Sequence, residues 1–306
     1  TIFSFQLERL FFGFAPFFFH LDNLLLHAGC AMLAFLLLVR LGLRRSAALA
    51  MAILFVVHPL NAEAVVWASA RKDLLAAFFS LLSVLSYLQN RHWFSWMTVV
   101  FVLLAILSKP VAIILPIIFL LLDWKEDGLL TKRLFAAKVP FFALSAVFLI
   151  IGLYGKQHNI ESLSPVETLL LSAKSFVFAL QKFFWPTGLS PIYLQTDPIV
   201  VSSPQFWMPI MIILILGVLT VGSLRKSRAA VFSLVWFLIF LLPSFANFAK
   251  DDVYFFSDRY AYLGQIGLLF LIGYTVDALR TKLRSYEVTI RANVLLWVAM
   301  VPLLII

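Results

Sequence analysis

The sequence predicts an all-α, polytopic membrane protein, and its composition and apolar pattern lead to that fold class. Of the 306 residues, 63% are hydrophobic and only 13% are charged, and the mean hydropathy is +1.00. A soluble domain has about a quarter charged residues. Apolar stretches recur along the whole chain, and in lipid they must be helices because every backbone polar group has to be paired internally.

The apolar stretches predict about ten membrane spans in a single transmembrane domain over residues 1–306. The chain begins at Thr1 and ends inside the apolar run 294–306, so we expect a piece of a longer protein that is truncated at both ends. The predicted spans lie at 21–39, 46–58, 73–89, 94–108, 110–123, 138–154, 206–224, 229–243, 262–280 and 292–306.

Basic residues cluster between the predicted spans and give the orientation. The clusters lie at 40–45, 125–138, 225–228 and 280–291, and they account for the net charge of +9 without a nucleic-acid partner. Because Lys and Arg concentrate in cytoplasmic loops, we place these segments in the cytoplasm. If the apolar stretch 166–185 crossed the bilayer, the later basic clusters at 225–228 and 280–291 would lie outside the cytoplasm. We therefore predict that 166–185 is an external or re-entrant element, and a true span is the alternative. The remaining polar segments face the other side of the bilayer, where we expect any chemistry.

The stretch FVVHPLNAEAVVWASARKDLLAAFF carries His58, Glu63, Arg71, Lys72 and Asp73 between two apolar arms. The proline after His58 ends the incoming helix because it lacks an amide donor. An Arg–Lys pair at an interface suits a phosphate, since Arg offers a planar fork and Lys a point charge. Alternatively, Glu63 and Arg71 form a structural ion pair, as do Lys72 and Asp73, and the basic groups extend to the interface.

Lys109, in ILSKPVAIILP, forms the apex of a predicted helical hairpin. At about 1.5 Å per residue, its arms, Phe94–Ser108 and Val111–Leu122, are shorter than the hydrocarbon core of about 30 Å. We therefore expect the lysine to be recessed below the external surface, and a recessed cation usually faces a cavity or a partner. A contact with a lipid phosphate or pyrophosphate is the functional interpretation, and a lysine that extends to the interface is the alternative.

A third polar cluster lies in ANFAKDDVYFFSDRYAYLGQIG, just before the predicted span 262–280. Aromatic rings stack on sugar faces and carboxylates bind hydroxyls, although an interfacial aromatic belt has a similar composition. The adjacent Asp251 and Asp252 could ligate a divalent ion, and no other cofactor is predicted. The charged residues of this cluster, Lys250, Asp251, Asp252, Asp258 and Arg259, lie among the aromatic residues Tyr254, Phe255, Phe256, Tyr260 and Tyr262.

His20, Asn23 and His27 are spaced three and four residues apart and share one helical face. Zinc would need further ligands that this spacing does not offer, so no metal site is predicted here. Polar groups inside a span are costly unless they are paired. We therefore predict a packing and hydrogen-bonding role between helices for these three residues.

Five segments match short motifs in a common order. The motif H-P-x-x-x-E-A-V-x-x-x-x-x-R-x-D-L-L is similar to the segment HPLNAEAVVWASARKDLLAAFF. The motif G-x-x-P-x-x-[FY]-H-x-x-N-L-L-L-H is similar to the segment FGFAPFFFHLDNLLLHAGCAMLAFLL. LLAILSKPVAIILPIIFLLLD is similar to an S-K-E segment, FFWPTGLSPIY to W-P-x-x-L-S, and FFSDRYAYLGQIGL to [AS]-[DE]-R-x-x-Y-L-P-S-I-G. Together these segments are spread over most of the length of the chain, from Phe12 to Leu268. They resemble the transmembrane and tetratricopeptide-repeat O-mannosyltransferase family and its bacterial relatives.

The resemblance implies a GT-C glycosyltransferase fold whose first span and its loop are missing from this chain. Such enzymes move a sugar, here mannose-like, from a polyprenyl-phosphate donor to a protein or glycan acceptor on the non-cytoplasmic face. The catalytic acid is expected in the missing first external loop, and Glu8 is not predicted to replace it. We expect a multi-pass protein of a bacterial inner membrane rather than the endoplasmic reticulum. A binder or translocator of lipid-linked saccharides without catalysis is the alternative.

The matching motif positions imply a set of donor-binding residues, to which Lys72 is added for its charge. Two departures bear on the donor site. Pro110 stands where the family has Glu, and Gly264 and Gln265 replace Pro-Ser. The implied donor phosphate and sugar-binding residues are His58, Glu63, Arg71, Lys72, Asp73, Lys109, Asp258, Arg259, Tyr260 and Tyr262.

Overall fold

The computed structural model describes residues 1–91, 95–128, 131–156, 163–224, 227–245 and 254–284, which are largely helical. Contacts divide the chain into two compact units, Thr1–Gly152 and Leu153–Ile306. The helices that begin in the first unit are α1 Ile2–Phe12, α2 Pro16–Arg40, α3 Arg45–Val57, α4 Ala62–Val66, α5 Arg71–Gln89, α6 Trp96–Ser108, α7 Leu115–Asp127, α8 Lys132–Ala136 and α9 Val139–Lys156. Short 3₁₀ turns occupy Pro59–Asn61, Ala68–Ala70 and Pro110–Ile114.

Helix α5 lies at the centre of the first unit, where it packs against α2 and α6. Gly29 of α2 permits a close approach, because an added Cβ would lie 2.9 Å from Cε2 of Phe78 on α5. Prolines explain the breaks around this core. Pro59 follows α3 and Pro110 follows α6, in each case starting a 3₁₀ turn where an α-helix cannot continue.

A buried polar network links the C-terminal end of α5 to α7 and to the start of α9. The Tyr87 hydroxyl donates to Asp123 Oδ1 at 2.6 Å, and Lys138 Nζ lies 2.5 Å from Asp123 Oδ2. Both ionised side chains are 0% exposed. Arg91 lies beside them and donates to both carboxylate oxygens of Asp127, at 2.7 and 2.8 Å. The basic pattern of the sequence predicts Lys138 in a cytoplasmic loop, whereas in the structure its side chain is buried inside the first unit.

The second unit combines helices with a small sheet that the sequence did not predict. Tyr193 pairs with Phe256 in an antiparallel ladder between its two strands. Ser164 and Glu167 form a capping box that begins α10, with Pro165 in the first turn. The elements are α10 Pro165–Phe184, β1 Tyr193–Leu194, α11 Pro204–Ser223, α12 Ala229–Phe245, β2 Tyr254–Phe256, a 3₁₀ turn Asp258–Ala261 and α13 Gln265–Arg284.

Helices α12 and α13 cross closely at Gly267. A Cβ at this position would lie 2.7 Å from the Ser233 carbonyl oxygen and 2.8 Å from Trp236 Cδ1. We expect Gly267→Ala to lower the free energy of unfolding by about 1–3 kcal/mol, because the two helices must move apart. Gly217→Ala on α11 is the matched control, since nothing lies within 4 Å of its Cβ position. Thermal unfolding in detergent measures both variants, and equal melting temperatures would refute this account of the crossing.

Two described helices are long and apolar enough to cross a bilayer, namely α2 and α11. A third span is added if α3 and the segment Pro59–Val66, which are bent by 53° relative to one another, count as one. The predicted total of about ten spans is therefore not confirmed. The stretch 166–185 lies in the continuous helix α10 except for Trp185, which follows its end, and its placement outside the membrane or as a re-entrant element stays a prediction. The predicted span 292–306 lies outside the described residues.

Candidate functional site

The first turn of α5 separates the three charged residues that the sequence grouped together. Arg71 is 1% exposed and Asp73 is 8% exposed, whereas Lys72 lies on the surface. Consecutive helical residues point in directions about 100° apart, since a turn holds about 3.6 residues. This geometry does not favour a joint phosphate contact by Arg71 and Lys72, because the two cations point in different directions.

The Arg71 guanidinium is held by partners from α1 and α2. Its Nη1 donates to the Glu8 carboxylate, its Nε donates to Asn23 Oδ1 at 3.2 Å, and its Nη2 donates to the Phe19 carbonyl oxygen at 2.9 Å. The guanidinium carbon also lies 4.4 Å from the Phe5 ring centroid. Arg71 thus joins the start of α5 to α1 and α2 through a buried, charge-assisted network.

Glu8 supplies the buried negative charge of this network. Its side chain is 3% exposed, and in the described part of the chain its Oε1 has no hydrogen-bond partner. Asp22 is a weaker partner, because its carboxylate lies 3.7 Å from Arg71 Nη1 and its side chain is 48% exposed. The sequence does contain a signal for Glu8, which is the only acid in the strongly apolar α1.

Asp73 and Lys109 form a second ion pair, which joins the beginning of α5 to the end of α6. Lys109 adopts an extended backbone before Pro110, as residues preceding proline usually do, and this ends α6. Its side chain is 21% exposed, whereas that of Asp73 is 7% exposed. Asp73 Oδ2 is buried and has no hydrogen-bond partner among the described residues. The Thr1 hydroxyl donates to the Ser108 carbonyl oxygen at 3.3 Å, which places the start of α1 nearby.

These contacts correct the ion pairs that local spacing had offered as the structural alternative. Arg71 pairs with Glu8 rather than with Glu63, and Asp73 pairs with Lys109 rather than with Lys72. The residues joined in each pair lie far apart in the sequence. The two ion pairs are therefore set by the tertiary packing of α1, α5 and α6.

The segment between α3 and α5 holds the other predicted residues of the first unit. His58 is 2% exposed, and its Nδ1 accepts a hydrogen bond from the Leu60 amide at 3.3 Å. Glu63 lies half-buried on α4. Asn61 precedes α4 without capping it through its side chain, because its backbone is already helical and its side-chain amide donates to the Phe55 carbonyl oxygen at 2.5 Å.

The polar face of α2 binds the same segment. The Asn23 amide lies 3.2 Å from each of the Val65 and Trp67 carbonyl oxygens, and His27 Nε2 lies 3.1 Å from the Val56 carbonyl oxygen. His20 is exposed and takes no part in these contacts. In the parts of the chain that the structure describes, no three His, Cys, Asp or Glu side chains are grouped to hold a metal. Asp251 and Asp252 lie outside those parts.

In the second unit, Asp258 organises the loop between α10 and β1. One of its oxygens accepts from the Tyr193 hydroxyl and the other from the Ser190 amide, each at 3.0 Å. Lys182 donates to the carbonyl oxygens of Thr187 and Gly188 in the same loop. Gly188 has a φ of +57°, a conformation that glycine adopts readily. The segment FFWPTGLSPIY is thus fixed by contacts from α10 and from the turn after β2.

The other predicted residues of this unit surround the same turn. The Arg259 guanidinium lies 5.5 Å from the Tyr260 ring centroid, and the Tyr260 hydroxyl donates to the Tyr254 hydroxyl at 3.5 Å. Burial raises the pKa of Tyr260 further above the neutral range, in which a tyrosine side chain already keeps its proton. Tyr262 is buried. The turn therefore offers a half-buried cation beside a neutral phenol.

The fold and these sites define a predominantly helical membrane protein with buried ion pairs at the N-terminal end of α5. The chain is similar to protein O-mannosyl-transferase Tmtc1 of Drosophila melanogaster, with 31% identity over 63% of this chain and 24% of that protein. Tmtc2 of the same organism is 43% identical over 30% of this chain and 10% of its own length. TMTC3 of Mus musculus is 35% identical over 30% of this chain and 10% of its own length.

These matches confirm the resemblance that the motifs indicated, because each relative is named as a TMTC protein O-mannosyl-transferase to which this chain is similar. It spans about a quarter of the length of Tmtc1 and about a tenth of the length of the other two relatives. No family model and no solved structure matches the chain.

Proposed function

We propose that this chain is the donor-binding part of a GT-C type membrane glycosyltransferase. The enzyme moves a mannose-like sugar from a polyprenyl-phosphate donor to a protein or glycan acceptor on the non-cytoplasmic face. The relatives, which are named protein O-mannosyl-transferases, support a glycosyltransferase role. We propose a multi-pass arrangement, in a bacterial inner membrane rather than the endoplasmic reticulum.

The Asp73–Lys109 ion pair is the observation that carries this proposal. The lysine is partly exposed where α6 ends, so a phosphate can approach its charge. An ammonium and a phosphate attract each other more strongly in a site of low dielectric than in water. Asp73 contributes a buried oxygen that is left without a hydrogen-bond donor in the described residues, and a sugar hydroxyl could supply one. The pair thus combines a cation for the phosphate with an acceptor for the sugar.

The other predicted residues of the first unit take supporting roles in this proposal. The Arg71 guanidinium is engaged by Glu8, Asn23 and the Phe19 carbonyl group, so we assign it to holding the site together. Lys72 is exposed and adds positive charge beside the pair. His58 and Glu63 shape the segment that leads into α5. The second unit has a candidate group of its own, Asp258, Arg259, Tyr260 and Tyr262, which is proposed to contact a phosphate or a sugar through the Arg259 charge and the tyrosine rings.

Replacing Lys109 with methionine tests the phosphate contact. A hydrogen bond to a charged group contributes about 1.5–3 kcal/mol, so we expect kcat/KM for the lipid donor to fall about tenfold to hundredfold. Asp73→Asn should lower it as well, because the amide no longer balances the charge of Lys109. The assay follows radiolabelled mannose from polyprenyl-phosphate-mannose to protein in proteoliposomes, with the protein carrying any flanking sequence that it has naturally.

Lys125→Met is the matched control for this assay. Lys125 is also a partly buried lysine with an acidic neighbour, since its Nζ lies 2.8 Å from Glu126 Oε1 on α7. Full activity of Lys109→Met would contradict the phosphate contact. The rival function is a binder or translocator of lipid-linked saccharides that performs no transfer. It predicts that wild type binds the donor lipid, that Lys109→Met weakens this binding, and that no label reaches protein.

A further inference from the structure

The carboxylate of Glu8 is satisfied on one side only. Oε2 accepts the hydrogen bond from Arg71, whereas Oε1 is buried and unpartnered within the described ranges. Glu8 as a whole is 5% exposed, so water does not freely solvate that oxygen. A buried acceptor without a donor costs free energy, and such a group in a native structure calls for an explanation.

We propose that Glu8 is a substrate-binding residue whose Oε1 accepts a hydrogen bond from a substrate hydroxyl group. The inference rests on the proposed function and adds a residue that the motifs did not assign. The hydroxyl belongs either to the donor sugar or to the acceptor, and both present the same chemistry to a carboxylate.

The charges around Glu8 favour a hydroxyl over an ion. A phosphate or another carboxylate would be repelled by Glu8 and by Asp22, which lies beside the same guanidinium. Arg71 already balances the Glu8 charge, so a second cation is not required. A neutral donor fills the remaining position without disturbing the ion pair. The Thr1–Ser108 hydrogen bond also ties α1 to the residue before Lys109, so Glu8 belongs to the helix that borders the proposed phosphate contact.

Glu8→Gln separates this role from a purely structural one. The amide oxygen can still accept the hydrogen bond from Arg71, which leaves the NH₂ group at the position of Oε1. A donor then replaces an acceptor at nearly unchanged shape. We expect KM for one of the two substrates to rise about tenfold to hundredfold, since one charge-assisted hydrogen bond is lost. Asp22→Asn removes a carboxylate beside the same arginine without changing a buried oxygen, and its KM values should stay close to those of wild type.

Ligand-induced changes in melting temperature test the same contact without turnover. Polyprenyl-phosphate-mannose is compared with polyprenyl phosphate, and a serine peptide with the same peptide carrying alanine. The proposal predicts that one hydroxyl-bearing ligand stabilises wild type more than its partner does and that Glu8→Gln loses this extra shift. If Glu8→Gln loses the extra change in melting temperature caused by the mannose, the hydroxyl belongs to the donor. If it loses the extra change caused by the serine, the hydroxyl belongs to the acceptor.

Two results would overturn the role of Glu8. One is an extra shift that Glu8→Gln retains in full, and the other is a wild type that gains no extra shift from either hydroxyl. If Glu8→Gln does not fold, Glu8→Asp is measured instead. Aspartate keeps the negative charge opposite Arg71, but its shorter side chain moves the carboxylate away from the position of Oε1. Failure of the proposed function looks different, since wild type would then transfer no label while the hydroxyl-dependent shifts could still be measured.

Discussion

Arg71→Ala is expected to lower the free energy of unfolding by about 3–5 kcal/mol, because it leaves the Glu8 carboxylate charged and buried without its partner. Arg71 is 1% exposed and joins three helices through Glu8, Asn23 and the Phe19 carbonyl group. The variant should also lose sugar transfer, since the start of α5 is no longer held in place. Thermal and denaturant unfolding in detergent measure the first effect, and label transfer measures the second.

Lys72→Ala is the control for Arg71→Ala, because it removes a neighbouring positive charge that lies on the surface. Surface substitutions usually change stability by less than about 0.5 kcal/mol. Comparable destabilisation by both variants would mean that the charge of this segment matters, rather than the buried pair. An unchanged stability of Arg71→Ala would refute the network.

Lys138→Ala is expected to have an effect of similar size, about 3–5 kcal/mol, at the other end of α5. Both Lys138 and Asp123 are 0% exposed, and the Lys138 ammonium also lies 5.0 Å from the Tyr87 ring centroid. Removing the lysine leaves Asp123 with the Tyr87 hydroxyl and a distant Arg91 guanidinium, whose Nε is 3.7 Å away. Equilibrium unfolding of the variant measures the loss.

The control for this prediction is Lys132→Ala, which changes an exposed lysine of α8 and should be nearly neutral. A double variant gives a second test. Lys138→Met combined with Asp123→Leu should recover much of the lost stability, because replacing both members of a buried ion pair by apolar residues is often tolerated. A double variant less stable than Lys138→Ala would indicate that the network contributes more than its desolvation costs.

Much of the helical pattern could be predicted from local sequence. The apolar stretches predicted α2, α3 and α11 to within a few residues, and the proline positions predicted the breaks after His58 and Lys109. These features depend on neighbours along the chain. The apolar stretches alone do not determine the number of membrane spans, because several of the helices predicted to be spans are short or carry charged residues.

The ion-pair partners could not be predicted, because they depend on which helices meet. Arg71 and Glu8 are 63 residues apart, and Lys109 and Asp73 are 36 apart. Local spacing offered Glu63 and Lys72 instead, which were the nearest residues of opposite charge. Asp258 illustrates the same point in the second unit, where its partner Tyr193 lies on a strand that only a long-range ladder defines.

The identity of the donor tests the central claim most directly. Wild-type protein in proteoliposomes is supplied with radiolabelled mannose either as polyprenyl-phosphate-mannose or as a nucleotide-linked sugar, together with a protein acceptor. The account predicts label on protein from the lipid donor alone, and loss of that label in Lys109→Met. Transfer from the nucleotide sugar in the absence of any lipid donor, unaffected by Lys109→Met, would contradict it.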